Sequence, residues 1–196
     1  MPSKIAIYTS IFGNYDDLPE IPYKPDNCDF ICFTDADITS DEWTIIKSPV
    51  IYSDPNRNAK RYKVLPHEYL HDYDYSIWID GNMLVQGNIN DLIDKYLSDV
   101  PIAFYSHANN VLDSRACPYE EAQFILDIGD KNYKLNPERG ILAYKDNPAV
   151  ISKQMENYQY AGFPYGNGLI TGMVIMRKHN DLDCIKVMEQ WWSEIS

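Results

Sequence analysis

The amino-acid sequence predicts an open α/β sheet, mostly parallel, with helices on both faces. Three observations carry that expectation. Short apolar and β-branched runs alternate with capped amphipathic segments along the chain, the order that builds βαβ units. The runs are apolar on successive residues, as in KIAIY and DFICF, so both faces of these strands need cover. Turn-prone or acidic residues follow them directly, as in TSIFGNYDD, FTD and WIDGN, where such a sheet presents ligands beyond its strand ends. The architecture is Rossmann-like.

Each element follows from its own residues. Strands are expected at 4–8 (KIAIY), 29–35 (DFICFTD), 43–47 (WTIIK) and 75–80 (YSIWID), each a β-forming run ending in polar residues. Asp54 as N-cap and Pro55 at the first position start a helix over 55–65, which Pro66 interrupts. Its surface carries Arg57, Lys60 and Arg61. A second helix over 89–97 aligns Ile89, Leu92, Ile93, Tyr96 and Leu97, and the strand PIAFYSH follows. Pro118 opens a third, with Glu120 and Glu121 in the first turn, where carboxylates suit the helix dipole. Asp146, Asn147 and Pro148 start a fourth that Gly162 ends. A β segment over 168–179 precedes a closing helix from near Asn180 that shows Leu182, Ile185, Met188, Trp192 and Ile195 at helical spacing. Segments 109–115 and 129–140 read as long loops.

Composition narrows the function. With 196 residues, 45% hydrophobic, the chain is read as one domain over 1–196 with enough apolar material for a continuous core. A formal charge of −12 repels polyanions, which argues against a nucleic-acid partner. No run approaches the roughly 18 apolar residues of a membrane span, and MPSKIAIYTS lacks the features of a signal peptide. A soluble, cytoplasmic protein is the expectation. The end of the chain soon after Trp192, within a helix that should pack, points to a domain cut from something longer. Cys28, Cys32, Cys117 and Cys184 show no zinc-site spacing and read as buried free thiols.

The strongest chemical signal is WIDGN. Asp80 falls at a strand end, Gly81 permits a tight turn, and Asn82 returns a second oxygen to the same side. Hard cations such as Mn²⁺ or Mg²⁺ take such oxygens while keeping positions for water and phosphate. Asp-Gly-Asn is equally ordinary turn chemistry. Asp35, in FTD, occupies a similar strand-end position. The first strand carries no GxGxxG and the chain no P-loop, which argues against a dinucleotide oxidoreductase or a P-loop kinase.

The ordered set IYTSIFGNYDDL, CDFICFTD, DPNRNAKRYKVLPHEYL and YDYSIWIDGNMLV, followed by SHANNVLDSRACPYEEA, QMENYQYAGFP, GLITGMVIMRKHN and the late WW, resembles a family of small glycosyltransferase-like domains. The family includes a chlorovirus-encoded glycosyltransferase and plant proteins of mucilage or pectin synthesis. The resemblance covers nearly the whole chain. It implies a GT-A-type fold, a nucleotide-sugar donor, uridine-based, a glycan or other hydroxyl acceptor, and a DxD-like element binding Mn²⁺ or Mg²⁺, here Asp80 and Asn82. The second carboxylate of a full DxD is an amide here, and the Arg-Asp-Gln segment that usually follows the WW in the family does not occur up to Ser196.

Roles follow from that resemblance. Thr9, Ser10 and Phe12, placed in the loop after the first strand, meet the nucleobase and ribose through backbone groups, or else only form the turn. Asp35 holds base or ribose, or caps the next element. Arg57 and Arg61 contact the diphosphate or ribose, or form a solvated basic face. Asp80 is also placed among the catalytic groups, through the cation that offsets charge on the leaving diphosphate. Glu121, in PYEEA, serves as proton acceptor or sugar ligand, with helix-start electrostatics as its plainer explanation. His107, Gln154 and Tyr158 fall on the sugar or acceptor side, and His179 is either a metal ligand or structural. Of Trp191 and Trp192, one should be core and its neighbour half exposed. The rival class is a nucleotide-sugar or carbohydrate-binding domain without turnover.

Overall fold

The structure, a computed structural model, describes residues 3–109, 115–144 and 146–195. The chain forms two compact units, Met1–Tyr105 with Gly172–Ser196, and Ser106–Thr171.

A six-stranded sheet comprises β1 (Ile5–Ile11), β2 (Cys28–Thr34), β3 (Thr44–Lys47), β4 (Tyr75–Ile79), β5 (Ile102–Ser106) and β6 (Ile170–Arg177), in the order β3-β2-β1-β4-β6-β5. β1 pairs in parallel with β2 and β4, and β2 with β3, while β6 runs antiparallel to β4. The helices are α1 (Pro55–Val64), α2 (Ile89–Tyr96), α3 (Pro118–Leu135), α4 (Pro148–Tyr160) and α5 (Leu182–Ile195). The expected α/β class and mostly parallel sheet are what the structure shows. No helix among the described residues is long and apolar enough to cross a membrane.

In the first unit, strand alternation sends Ile5, Ile7, Phe30, Cys32 and Ile77 to one face, where they meet Ile89 and Ile93 of α2. Ala6, Tyr8, Ile31, Phe33 and Trp78 go to the other, against Ala59 and Tyr62 of α1. Val64 and Leu65 then join Cys184 and Met188 of α5. Each large apolar side chain so buried contributes about 1.5–3 kcal/mol, which is why these strands carry no polar face. Trp191 and Trp192 are both partly buried, with Trp191 packed against Phe104 and Trp192 near Tyr52. The expected split into one core and one half-exposed tryptophan is therefore corrected.

All four cysteines are buried and free. Burial pushes the Cys32 thiol up to about 12 and those of Cys28 and Cys184 to about 11, which keeps them protonated and inert. Arg177 is also fully buried. Its guanidinium donates to the Tyr8 hydroxyl and, at 2.8 Å, to the carbonyl of Lys63 in the last turn of α1, where the helix dipole favours a cation. His179 is 1% exposed and Nε2–H donates to the carbonyl of Leu70 at 2.7 Å. Of its two readings, the structural one holds.

Two boundaries move. β1 continues past Tyr8, with Thr9 paired opposite Cys32 and Ser10 opposite Phe33. Thr9 and Ser10 are thus strand residues, and Phe12 is a buried ring stacked on Tyr62 at 5.6 Å. In the second unit α3 runs through Gly129 to Leu135 where a loop was expected. Gly129 persists in the helix because the Tyr144 ring packs where its Cβ would be. A 3₁₀ segment, Pro137–Ala143, follows. Expected loop residues 110–114 lie outside the described residues.

The end of α4 shows how local sequence sets a boundary. Gly162 takes φ +75 and donates to Gln159, while Phe163 donates to Tyr158. This is a Schellman closure, which a residue with a Cβ adopts at a cost.

Candidate functional site

The strand order reverses direction at β1, which has β2 on one side and β4 on the other. Ligands of such sheets sit beyond the carboxyl ends at this switch point, and Asp80 directly follows β4 there. Its backbone N donates to Met173 at 2.9 Å, and its carbonyl accepts from Met83 N at 2.9 Å. The turn is thereby tied to β6.

The Asp80 side chain has two unlike oxygens. Oδ1 accepts from Lys63 Nζ at 2.9 Å and from Trp78 Nε1 at 2.7 Å. Oδ2 accepts no hydrogen bond from the described residues, and the side chain is 34% exposed. Lys63 reaches Asp80 from the last turn of α1, its ammonium 5.1 Å from the centre of the Trp78 ring. Gly172 leaves room for it, since a Cβ there would lie 3.3 Å from Nζ. Burial draws the Lys63 pKa below its ordinary value, against the pull of the Asp80 carboxylate. The result is a carboxylate held in one orientation, half satisfied and half open.

Asp16 lies against the same turn. A Cβ on Gly81 would sit 2.9 Å from Asp16 Oδ2, so a larger residue at 81 would make that exposed carboxylate shift. Asn82 is exposed and makes no hydrogen bond among the described residues. No group of three or more His, Cys, Asp or Glu side chains among the described residues forms a metal cage. One open carboxylate oxygen and a free amide oxygen do fit Mn²⁺ or Mg²⁺ brought in with phosphate ligands, since these ions take few protein oxygens.

The other expected residues of this unit divide by what already occupies them. Asp35 accepts from Gly13 N at 3.0 and 3.3 Å, fixing the loop after β1 where Gly13 has φ +67. Ser10 Oγ donates to the carbonyl of Ala59 at 2.9 Å, and Thr9 Oγ1 is buried without a partner among the described residues. Arg61 is committed to Glu68 at 3.0 Å. Arg57 lies over the Tyr52 ring at 4.6 Å, and its Nε is buried without a hydrogen bond among the described residues. Beneath them the buried Asn58 accepts from Ile51 N and Tyr52 N and donates to the carbonyls of Tyr52 and Asp54, which shapes the loop into α1.

In the second unit Glu121 is ion-paired with Arg115. The guanidinium of Arg115 also lies 3.9 Å from the centre of the Phe124 ring, and both ring nitrogens of His107 face donors of Arg115, at 3.3 and 3.1 Å. Gln154 donates to the Tyr158 hydroxyl at 2.9 Å, one helical turn on. Thus Glu121 and His107 share one arginine, and Gln154 and Tyr158 satisfy each other.

Sequence reasoning missed Lys63, Asp16 and Arg115. A lysine inside the apolar stretch YKVL was the available signal for Lys63. Asp16 and Arg115 have none, since their partners lie far along the chain or in another element.

The fold and this acidic strand end define a Rossmann-type α/β protein with a ligand site at its sheet switch point. In a comparison with protein families, residues 2–195 match TOD1/MUCI70, glycosyltransferase-like domain. The chain belongs to that family, and its role at the family level is glycosyl transfer, with a sugar donor and an acceptor as partners. A comparison with curated proteins finds no match.

Proposed function

We propose that this chain moves a hexosyl or deoxyhexosyl group from a nucleoside diphosphate donor to a hydroxyl of a glycan or other acceptor, assisted by Mn²⁺ or Mg²⁺. The observation that carries the reading is Asp80 at the switch point, with Oδ1 clamped by Lys63 and Trp78 and Oδ2 open. The uridine base and the GT-A type rest on the family resemblance alone.

Breaking the sugar–phosphate bond leaves added negative charge on the diphosphate, and offsetting that charge is the main catalytic demand. Asp80 and Asn82 would hold a divalent ion, which when bound would offset the charge of that leaving group as a Lewis acid. The chain's own residues do the rest. Lys63 and Trp78 fix the Asp80 carboxylate through Oδ1, Lys63 as its ion-pair partner, and leave Oδ2 facing outward. Arg57, with no carboxylate partner among the described residues, is available to a phosphate, whereas Arg61 is spent on Glu68. Asp35 serves the nucleoside through the loop it holds, and Thr9, Ser10 and the buried Phe12 support that strand end from within the sheet and core. Glu121 accepts the acceptor hydroxyl proton or binds sugar once its pair with Arg115 opens, with His107 on the same arginine; Gln154 and Tyr158 serve the sugar or acceptor.

Calorimetric titration with a panel of nucleotide sugars, with and without Mn²⁺, tests this on the unsubstituted chain and on Asp80→Ala. The expected result is Mn²⁺-dependent binding of a uridine diphosphate sugar that the substitution abolishes while circular dichroism is unchanged. Equal affinity in both proteins sinks the site assignment. Donor binding without transfer or hydrolysis favours the non-catalytic reading, which the amide at Asn82 and the neutralised Asp80 also support.

A further inference from the structure

A cavity of about 510 Å³ opens on the first half of α3, bounded at one end by Arg115 and across from α3 by Tyr165. Tyr119, Gln123 and Asp127 stand one helical turn apart along it. That volume lies within the usual range of small-ligand sites, about 300–1,000 Å³. None of its residues belongs to the donor site.

The walls are aromatic and fixed. The rings of Tyr119 and Tyr165 lie parallel, 5.9 Å apart and 9° from coplanar. Each hydroxyl is anchored, Tyr119 donating to the carbonyl of Phe163 at 2.8 Å and Tyr165 to Glu120 Oε1 at 2.8 Å. Glu120 is itself held by Ala116 N at its other oxygen. The stack turns one face of Tyr165 towards Tyr119 and leaves the rest of the ring open, so that Tyr165 remains 69% exposed, while Phe124, under the Arg115 guanidinium, is 42% exposed. Rings locked in place yet left in water are a prepaid binding surface, because ordering them costs nothing further when a ligand arrives.

The polar groups select the ligand. Gln123 Nε2 donates to Asp127 Oδ1 at 2.8 Å, which directs the amide carbonyl and the second carboxylate oxygen outward as acceptors. Arg115 is neutralised by Glu121, so the cavity's own charge, from Glu120 and Asp127, is negative. Anions are repelled. A purely apolar ligand would strip water from acceptors it cannot satisfy. A ligand with flat C–H faces and hydroxyl donors, and no charge, satisfies both parts.

We propose that this cavity binds a neutral carbohydrate, with one pyranose face on Tyr165 and its hydroxyls donating to Gln123 and Asp127. Its role as the acceptor site rests on the transfer reading above; the binding does not.

The test is saturation-transfer NMR and titration of the full chain with neutral gluco-, manno-, galacto- and xylo-oligosaccharides, alongside oligouronides. Donor titration of the same preparation runs in parallel. At least one neutral oligosaccharide is expected to bind, with Tyr165→Ala and Asp127→Ala each weakening it about tenfold or more and melting temperature unchanged. Binding by no neutral oligosaccharide, preference for oligouronides, or affinity unaltered in both variants overturns the proposal. Glycan silence with donor binding intact leaves glycosyl transfer standing; glycan binding without donor binding removes the transfer reading and keeps the carbohydrate site.

Discussion

Acidification should destabilise this protein through His179 more than through any surface histidine. Its ring is 1% exposed, Nε2–H is committed to the Leu70 carbonyl at 2.7 Å, and Nδ1 has no partner among the described residues. Burial pulls its pKa from 6.5 down to about 4, assisted by the nearby Arg177 charge and opposed by the Leu70 bond. The unfolded chain therefore binds a proton in a range where the folded one does not, so stability rises with pH there. The contribution is fully present above the unfolded pKa of 6.5 and is lost as pH falls towards about 4. A depression of that size is worth about 3 kcal/mol in full, and about 2–3 kcal/mol of it is gone between pH ~7 and pH ~4.5. Urea unfolding followed by tryptophan fluorescence at both pH values measures the loss. His179→Gln keeps an N–H donor for Leu70 without a titrating group, and should lose about 2–3 kcal/mol less than the unsubstituted protein over the same interval. Parallel losses, within about 0.5 kcal/mol, would refute the assignment of a neutral buried ring.

Lys63→Met and Asp80→Asn should be non-additive, with a coupling of about 1–2 kcal/mol in a double-mutant cycle of urea unfolding, the low part of the range for charged hydrogen bonds because Asp80 is 34% exposed. Additivity means the pair is not formed in solution. Arg57→Ala should weaken donor binding by about tenfold or more in calorimetry, as loss of a charged hydrogen bond does. Arg61→Ala should instead lower stability slightly by freeing Glu68, and equal effects on donor affinity would contradict the division of the two arginines. Gly129→Ala gains about 1 kcal/mol of helix propensity but sets a methyl into the Tyr144 ring. Faster hydrogen exchange in α3 is expected, reversed when Tyr144→Ala is added; slower exchange in the single variant would show that the ring gives way freely.

Strand positions were legible because burial on both faces forces an uninterrupted apolar run, and KIAIY, DFICF and YSIWI have it. Helix starts were legible because orphan N–H groups need a local partner. Asp54 and Asn147 each supply an oxygen to the residue two positions on. The boundary errors share one cause. β1 runs on through Thr9 and Ser10 because β2 offers them a partner, and α3 runs on through Gly129 because Tyr144 packs on the bare Cα. Both causes act over more than ten residues of chain, beyond the reach of any local pattern. Asp80 stood out as a strand-end carboxylate next to glycine, a purely local feature.

By itself, then, the sequence determined the class of fold, the chief helix starts, the inert thiols and the position of Asp80, since periodicity, capping and apolar runs act between neighbours in the chain. Only the tertiary structure decided which charges are already spent. Asp80 meets Lys63, Arg61 meets Glu68, Glu121 meets Arg115, and Arg57, unlike Arg61, is left without a carboxylate among the described residues. Pairing depends on side chains converging in space from different elements, and linear spacing carries no record of that convergence.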